Sequence, residues 1–324
     1  MSTTRVRVQE QTLRVLAGNI FVAAGCSLEH ADLIADALVW ANLRGFDAHG
    51  VSRIPRYLEL FDSGESNPAP DITVDQTRSA VAIVDADSAP GPVALSTAMD
   101  HAMSLARTVG IAWVSVRGTV HTGALGYYTA RAADYGMAGM GIVAGMPTLG
   151  YPGRGGAVVG TNPLSVALPA GKHQTVLLDT TTDFSAAPEL LPPSVIPSHG
   201  TGGAGTSLVL ELLASGLASN PIVSRFHSDK PGGRRHRQNA VLMAVDISAF
   251  VAPEEFMATV DDTLEAISRL PVADSTTDIS YPGEPGVRTL QERRVDGIPL
   301  HVQLLDDLET AADKLGADVP SDFR

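Results

Sequence analysis

Residues 42–53 have the sequence NLRGFDAHGVSR, and the rest of the chain is organised around this segment. Within it, Asp47, His49 and Arg53 bring a carboxylate, an imidazole and a guanidinium into seven residues. Histidine is the side chain whose ordinary pKa lets it exchange protons near neutral pH. Arginine presents a planar fork of N–H donors that matches a carboxylate. The segment therefore suits a small acid that also carries a carbonyl, imine or hydroxyl group.

Two glycines indicate where this segment lies in the fold. Gly45 and Gly50 interrupt the helical pattern on its two sides, which predicts that His49 lies on a loop between two helices. If a helix begins near Ser52, the side chains of His49 and Arg53 can point toward one small volume near its start. The alternative is a capped loop between helices whose arginine faces solvent.

The amino-acid composition limits the classes to which the protein can belong. The 324 residues, 44% of them apolar and 18% charged, suffice for one large or two ordinary domains with a sizeable core. A formal net charge of −13 argues against a general nucleic-acid binder, although a local arginine cluster can still hold an acidic ligand. The single cysteine, Cys26, excludes an intrachain disulfide, and no metal site is expected. Neither a signal peptide nor a membrane-spanning run is recognisable, so a cytoplasmic location is expected.

The first part of the chain is predicted to be helical. Apolar residues recur with helical spacing over residues 9–24, and Ser27 is predicted to cap a second helix. A third helix is predicted from about Ser52. Together they form a predicted N-terminal unit, residues 1–75, that carries His49.

The pattern then changes to strands that alternate with helices. Strands are predicted at residues 80–85, 111–116, 138–144, 164–168, 175–179 and 240–247, and helices at 92–108, 123–135 and 205–217. This alternation predicts an α/β domain over residues 76–248. Helices at 253–269 and 302–315 mark a C-terminal part, residues 249–324, which is expected to pack against the N-terminal unit.

A second histidine lies in the segment VRGTVHTGALGYY, residues 116–128. His121 follows a predicted strand and precedes a predicted helix. Ligands gather at the carboxyl ends of strands in α/β sheets, and helix starts supply unpaired backbone donors. His121 is therefore a candidate site residue. The alternative is a histidine that only caps the helix.

Three further segments are candidates for the site, and none fits the Rossmann pattern of strand, G-x-G-x-x-G and helix. GTGGAG at 200–205 is interpreted as a loop before a helix, but no strand precedes it and no Walker lysine follows, so a hinge is the alternative. YPGEPG at 281–286 is interpreted as a rigid turn. The basic segment 225–237 could hold a 2′-phosphate or be a solvated loop.

Five segments together resemble the malate/L-lactate dehydrogenase family of the type unrelated to the Rossmann lactate dehydrogenases. They are LRGFDAHGV at 43–51, VHTGALGYY at 120–128, GGAVVGTNPL at 155–164, ELLASG at 211–216 and YPGE at 281–284. That family also includes ureidoglycolate and sulfolactate dehydrogenases, diketogulonate reductase and reductases of cyclic imino acids. The resemblance implies a non-Rossmann α/β fold with a helical N-terminal unit and a mixed-sheet cofactor domain. It also implies an NAD- or NADP-dependent reaction and a homodimer.

The resemblance also implies roles for individual residues. His49 is the implied proton donor or acceptor, and Asp47 could orient its imidazole if the two lie close. His121 is implied to lie beside the nicotinamide and the substrate, and Arg53 to hold the substrate carboxylate. The implied substrate-binding residues are Arg53, Tyr57, Thr161 and Asn162. The implied cofactor-binding residues are Asp179, Thr180, Thr181, Thr182, Gly202, Gly283 and Glu284.

The chain departs from the family after Asp179. The family continues through a longer segment to a glycine loop with a lysine before the helix, whereas here the segment is much shorter and the lysine position falls on Gly202. A missing cation near a pyrophosphate removes a charge-assisted contact of about 1.5–3 kcal/mol. This corresponds to about tenfold to hundredfold in dissociation constant. Weak cofactor binding or lost redox activity follows as a hypothesis.

Three functional hypotheses follow from these residues. The first is a dehydrogenase or reductase that moves a hydride between a nicotinamide and C2 of a small 2-oxo, 2-hydroxy or 2-imino acid. The second is a cofactor-independent cyclase, dehydratase or tautomerase that uses the same pocket on a carboxylated metabolite. The third is a non-catalytic binding subunit, which the presence of His49, Arg53 and His121 disfavours. A cofactor titration separates the first hypothesis from the other two.

Overall fold

The computed structural model describes residues 4–180, 200–228, 237–271 and 280–323. Its N-terminal elements are β1 (Arg5–Val8), α1 (Glu10–Ala23), α2 (Leu28–Leu43) and α3 (Ile54–Asp62). Ser27 caps α2, because its hydroxyl accepts a hydrogen bond from the N–H of His30, as the sequence predicts. Two short 3-10 turns, Asp47–His49 and Val51–Arg53, precede α3 and delay its start by two residues.

Strands and helices alternate through the middle of the chain. They are β2 (Thr73–Arg78), β3 (Val81–Asp85), α4 (Gly91–Val109), β4 (Ile111–Thr119), α5 (Gly126–Asp134), β5 (Met137–Ala144), β6 (Leu164–Leu168), β7 (Val176–Thr180), α6 (Gly200–Glu211), α7 (Val223–His227) and β8 (Gln238–Asp246). The C-terminal elements are α8 (Pro253–Ser268), α9 (Glu284–Asp296), β9 (Ile298–His301) and α10 (Val302–Leu315). Among the described residues, no helix is both long and apolar enough to cross a bilayer.

The strands form a mixed sheet, as predicted. Within the described part of the chain, seven strands pair in the order β2-β3-β4-β8-β5-β6-β7. Only β3 and β4 are parallel among these pairs, and the others are antiparallel. Because β8 lies between β4 and β5, its first residue lies beside the C-terminal ends of both strands. These ends lead into the His121 segment and into the loop that begins at Gly145.

Two large hydrophobic clusters hold these elements. In the first, α4 and α5 cover one face of the sheet, and many of its buried residues are alanines that let helix and sheet approach closely. In the second, α1, α2 and α3 pack with β9 and α10, through residues such as Phe21, Leu38 and Leu305. The loop between α2 and α3, which carries His49, is thus held by residues from both ends of the chain.

Two predicted segments have a different conformation. GTGGAG at 200–205 is not a loop, since α6 begins at Gly200. Each glycine costs a helix about 1 kcal/mol, so α6 depends on tertiary contacts. One of them is made by Ser207, which is fully buried and whose hydroxyl donates to the carbonyl of Gly160. YPGEPG is a turn only as far as Gly283, because α9 begins at Glu284. Of the basic segment 225–237, residues 229–236 lie outside the described residues.

Candidate active site

The loop between α2 and α3 depends on the close approach of Gly50 to Asn42. The side-chain oxygen of Asn42 accepts a hydrogen bond from the N–H of Val51 at 2.8 Å. A Cβ on Gly50 would collide with this amide, so the position requires glycine. The prediction that His49 lies on a loop between two helices is confirmed, since it ends the first 3-10 turn.

Asp47 connects this loop to the C-terminal part of the chain. Its carboxylate accepts two hydrogen bonds from Arg293 on α9, at 2.6 and 3.1 Å, and one from the side chain of Asn42 at 2.7 Å. Arg293 also donates to the carbonyl of Asn42. The Asp47 carboxylate therefore holds the loop in place, through a partner 246 residues away. Its role in orienting His49 stays a prediction.

The two candidate histidines lie face to face. The ring centroids of His49 and His121 are 6.0 Å apart, with 14° between the ring planes. His121 follows β4, as predicted, and precedes α5. The N-terminal loop and the end of a central strand are thus brought into one site.

Tyr57 fixes the orientation of His121. Its hydroxyl lies 2.9 Å from the carbonyl oxygen of His121 and 3.1 Å from Nδ1 of the same residue. The carbonyl only accepts, so it takes the single hydroxyl proton, and Nδ1 must then donate to the tyrosine oxygen. Nε2 of a neutral His121 consequently carries the lone pair. Tyr57 was predicted to bind substrate, but it is 1% exposed and its hydroxyl contacts His121.

Arg53 acts on His49 through its charge. Burial lowers the pKa of His49 below its ordinary value of 6.5, and the nearby Arg53 guanidinium lowers it further. Nε of Arg53 donates to the carbonyl of Ala48, and the side chain is half-buried at the edge of the site. A neutral His49 at pH 7 follows from both effects.

The two histidines border a cavity of about 200 Å³. Its lining includes Phe46, His49, His121, Thr161, Asp179 and Gln238. A second cavity of about 580 Å³ is lined by residues such as Arg44, Leu177 and Gly283. The two cavities share Phe46, Asp179 and Thr180, so they lie next to each other between the histidines and the start of α9.

Asn162 lies outside this lining, although it was predicted to bind substrate. It is completely buried, and its amide donates to the backbone and hydroxyl oxygens of Ser207. Its side-chain oxygen accepts from the N–H of Gly145. Asn162 therefore anchors α6 to the end of β5, whereas its neighbour Thr161 lines the cavity.

Some of the predicted cofactor-binding residues lie in the part of the chain that the structure describes, and others lie outside it. Asp179 and Thr180 line both cavities, whereas Thr181 and Thr182 lie outside the described residues, and Gly202 falls within α6. Gly283 lines the second cavity with φ of 96°, and a Cβ there would press against Leu177, so glycine is required. The Glu284 carboxylate accepts from the N–H of Tyr281 at 3.3 Å, at the first turn of α9.

Asp179 carries a perturbed carboxyl group. Burial raises its pKa from 3.8 to about 6, although a hydrogen bond from the N–H of Gly126, at 2.7 Å, opposes the rise. Because the ionised form is disfavoured in the folded protein, Asp179 lowers stability above about pH 6, and this penalty disappears as the pH falls toward 4.

Replacing Asp179 with asparagine is therefore expected to stabilise the protein at alkaline pH. The amide oxygen of Asp179→Asn can still accept from Gly126, so only the ionisation is lost. We expect a gain of about 1–3 kcal/mol in the free energy of unfolding at pH 8. The gain should be smaller at pH 4.5. Denaturant unfolding at pH 8 and at pH 4.5 measures the free energy of unfolding of both proteins. An equal gain at both values would contradict a titrating Asp179.

Three residues of the site were not predicted from the sequence. Phe46 lies inside the motif, and its ring stacks on Trp40 at the junction of the two cavities. Gln238 was missed because β8 begins two residues before the predicted strand. Arg293 lies on a helix that was not predicted, and nothing local marks its pairing with Asp47.

Comparisons with known proteins agree with this fold. The model of the malate/L-lactate dehydrogenase family matches residues 8–192 and 180–309. Ureidoglycolate dehydrogenase (NAD(+)) of Escherichia coli O157:H7 is 27% identical over 94% of each chain. L-sulfolactate dehydrogenase of Methanothermobacter thermautotrophicus is 26% identical over 92% of this chain and 93% of its own. The solved malate dehydrogenase of Pyrococcus horikoshii OT3 superposes with a TM-score of 0.89 at 27% identity, covering 98% and 97% of the two chains.

These matches span nearly the whole chain, and the relatives are dehydrogenases, so the protein is an enzyme of the dehydrogenase class. It belongs to the malate/L-lactate dehydrogenase family. The fold predicted from the five sequence segments is confirmed.

The matches also bear on the segment after Asp179. The alignment with ureidoglycolate dehydrogenase runs over 333 positions, more than the 324 residues of this chain, so part of the relative has no counterpart here. The family model matches in two pieces that meet over residues 180–192. The first observation shows that residues are missing compared with this relative, and the second supports their absence at this place.

Proposed function

We propose that the protein is an NAD- or NADP-dependent oxidoreductase that acts on a small 2-oxo or 2-hydroxy acid or on a cyclic 2-imino acid. The observation that carries the proposal is the pair of parallel imidazoles, with an arginine at its edge, beside a cavity that continues into a larger one. The names of the relatives support this choice, since ureidoglycolate, sulfolactate and malate are all small hydroxy acids. A cytoplasmic homodimer is part of the same proposal and follows from the family resemblance.

The residues fit a nicotinamide dinucleotide in shape. Together the two cavities fall within the range of about 300–1,000 Å³ that is typical of ligand pockets. Gly123 has a positive φ and borders open space in the first cavity. A side chain at this position would fill that space. His49, His121 and Thr161 would surround the nicotinamide end, and Gly283 and Thr180 would border the remainder. When bound, the nicotinamide would supply or take up the hydride at C2 of the substrate.

His49 is proposed to exchange the proton with the C2 oxygen or nitrogen of the substrate. A pKa near the working pH suits this role in both directions, because the group must give and take the proton. Because burial and Arg53 lower its pKa, His49 is mostly a base at neutral pH. Substrate oxidation should therefore extend to lower pH than an ordinary histidine would permit, and reduction should quicken as the pH falls.

His121 and Arg53 are proposed to orient the reactants. Tyr57 holds the His121 ring, so its Nε2 can accept a hydrogen bond from the substrate or cofactor. The guanidinium of Arg53 is proposed to hold the substrate carboxylate from the edge of the site. Fixing the carboxylate sets the distance between C2 and the hydride before reaction.

A cofactor-independent cyclase, dehydratase or tautomerase remains the second candidate. The shortened segment after Asp179 favours it, because fewer residues remain to surround a dinucleotide. The same histidines would then move protons only.

One experiment separates the two candidates. NADH and NADPH are titrated against the protein by fluorescence, and their oxidation is followed with pyruvate, oxaloacetate and a cyclic imino acid. We expect oxidation with at least one acid, and weak cofactor binding, because the lysine position is Gly202. No binding of either dinucleotide at millimolar concentration would overturn the redox proposal in favour of the second candidate. Micromolar binding would contradict only the predicted weakness.

A further inference from the structure

Gln238 places a neutral amide in the histidine cavity. It is the first residue of β8 and pairs with Thr119, near the end of β4. The strand position is imposed by the sheet, since β8 is held on both sides by β4 and β5. The side chain is half-buried and lines the same cavity as His49 and His121.

The amide has a defined orientation. Its oxygen accepts a hydrogen bond from the N–H of Thr122, at 3.0 Å. Turning the amide over would place its NH2 group against that N–H, with two donors facing each other. Thr122 is buried, so its N–H would be costly to leave without a hydrogen-bond acceptor. The amide nitrogen therefore faces away from Thr122.

The nitrogen lies close to the backbone that follows β5. A Cβ built on Gly145 would come within 3.4 Å of it, so the amide nitrogen lies beside the backbone of Gly145. Gly145 and Thr161 also line the cavity. The glycine leaves space next to the N–H donors, where a larger side chain would cover them.

A bound 2-oxo acid needs such donors, because a carboxylate only accepts hydrogen bonds. Arg53 lies at the edge of the site, and within the described part of the chain it is not among the residues that line the cavity. His49 is proposed to serve the C2 oxygen. Gln238 offers N–H donors inside the cavity that stay protonated at every pH at which the enzyme works.

We propose that Gln238 is a substrate-binding residue whose side-chain N–H donates to the carboxylate of the bound acid. The inference rests on the proposed function for the identity of the acid. It assigns the carboxylate a second contact, in addition to the one proposed for Arg53. The enzyme is therefore expected to act on acids with a free carboxylate next to the reacting carbon, rather than on their esters or amides.

Gln238→Glu tests this role, because the variant keeps the oxygen that accepts from Thr122 and loses the N–H donors. A glutamate oxygen still accepts from the N–H of Thr122, so the His121 segment stays in place. The donors are lost, and a negative charge faces the carboxylate. We expect the KM for pyruvate to rise by about tenfold to hundredfold, with a smaller change in kcat. Binding of oxamate, measured by calorimetry, should weaken by a similar factor.

Methyl pyruvate separates binding of the carboxylate from a structural effect. This ester has no negative charge, so its KM should change by less than about threefold in Gln238→Glu, and NADH binding should be unchanged. Gln76→Glu, on the exposed edge strand β2, is the control for the added charge and should behave as the wild type. Equal losses with pyruvate and its ester would overturn the inference, as would unchanged oxamate binding.

A different result would contradict the proposed function. If the wild type oxidises no NADH or NADPH with any acid, the redox proposal is lost, while oxamate calorimetry still tests Gln238. If the wild type does not bind oxamate, the inference about Gln238 is overturned even when NADH oxidation is observed.

Discussion

His49→Gln is expected to lower kcat by about 10²–10⁴-fold, the range typical of a positioned general acid or base. Glutamine roughly preserves the size of the side chain and its place in the loop, but it cannot exchange a proton. NADH binding should change little, because the dinucleotide is proposed to extend away from His49 into the second cavity. Steady-state kinetics and a fluorescence titration on the same protein give both quantities.

The pH profile of the wild type gives a second check on this role. Since burial and Arg53 lower the pKa of His49, kcat/KM for oxidation of a hydroxy acid should decline only below pH 6.5. Arg53→Gln removes one of the two causes and should move this acid limb to higher pH. If His49→Gln keeps full activity while His121→Gln loses it, the proton-exchange role belongs to His121 instead.

Asp47→Ala is expected to have the largest effect on stability. The Arg293 side chain is only 12% exposed, and it would lose both hydrogen bonds from its guanidinium to the carboxylate. Breaking a fully buried pair costs about 3–5 kcal/mol, but Asp47 is 47% exposed, so we expect about 2–3 kcal/mol. At about 2–4 °C per kcal/mol, Tm should fall by roughly 4–12 °C.

The same variant should also reduce activity, because the Asp47–Arg293 pair holds the loop that carries His49. We expect kcat to fall by about tenfold or more, since a small displacement of a reacting group is costly. Glu59→Gln is a matched control, because it breaks an exposed pair with Arg56 on the neighbouring helix and should cost less than about 1 kcal/mol. An equal loss of Tm in both variants would show that Asp47 makes only an ordinary surface pair.

Elements with a clear local pattern followed from the sequence. β6 and α10 have the bounds predicted, at 164–168 and 302–315, and Ser27 caps α2. These features depend on residues within a few positions of each other, because periodicity and capping are local effects. The strands β1 and β9 were missed for the opposite reason. Each has four residues, and each is stabilised by a partner at the other end of the chain.

The candidate site shows the same division. The motif around His49 and the placement of His121 after a strand were recognisable from the sequence, because residue type and neighbouring elements indicate them. The roles of Asp47, Tyr57 and Asn162 were decided by tertiary contacts. Each lies in a recognisable segment, yet its hydrogen bonds go to Arg293, His121 and Ser207 respectively.

By itself, the sequence determined the family, the α/β class and the two histidines, because these depend on local patterns and on the order of short motifs. Only the tertiary structure decided that the imidazoles face each other at 6.0 Å and that Gln238 enters their cavity. It also decided that Arg293, rather than a neighbouring residue, holds Asp47. The physical reason is that hydrogen bonds and ion pairs depend on distance in space, and folding brings together groups that the chain separates by more than 200 residues.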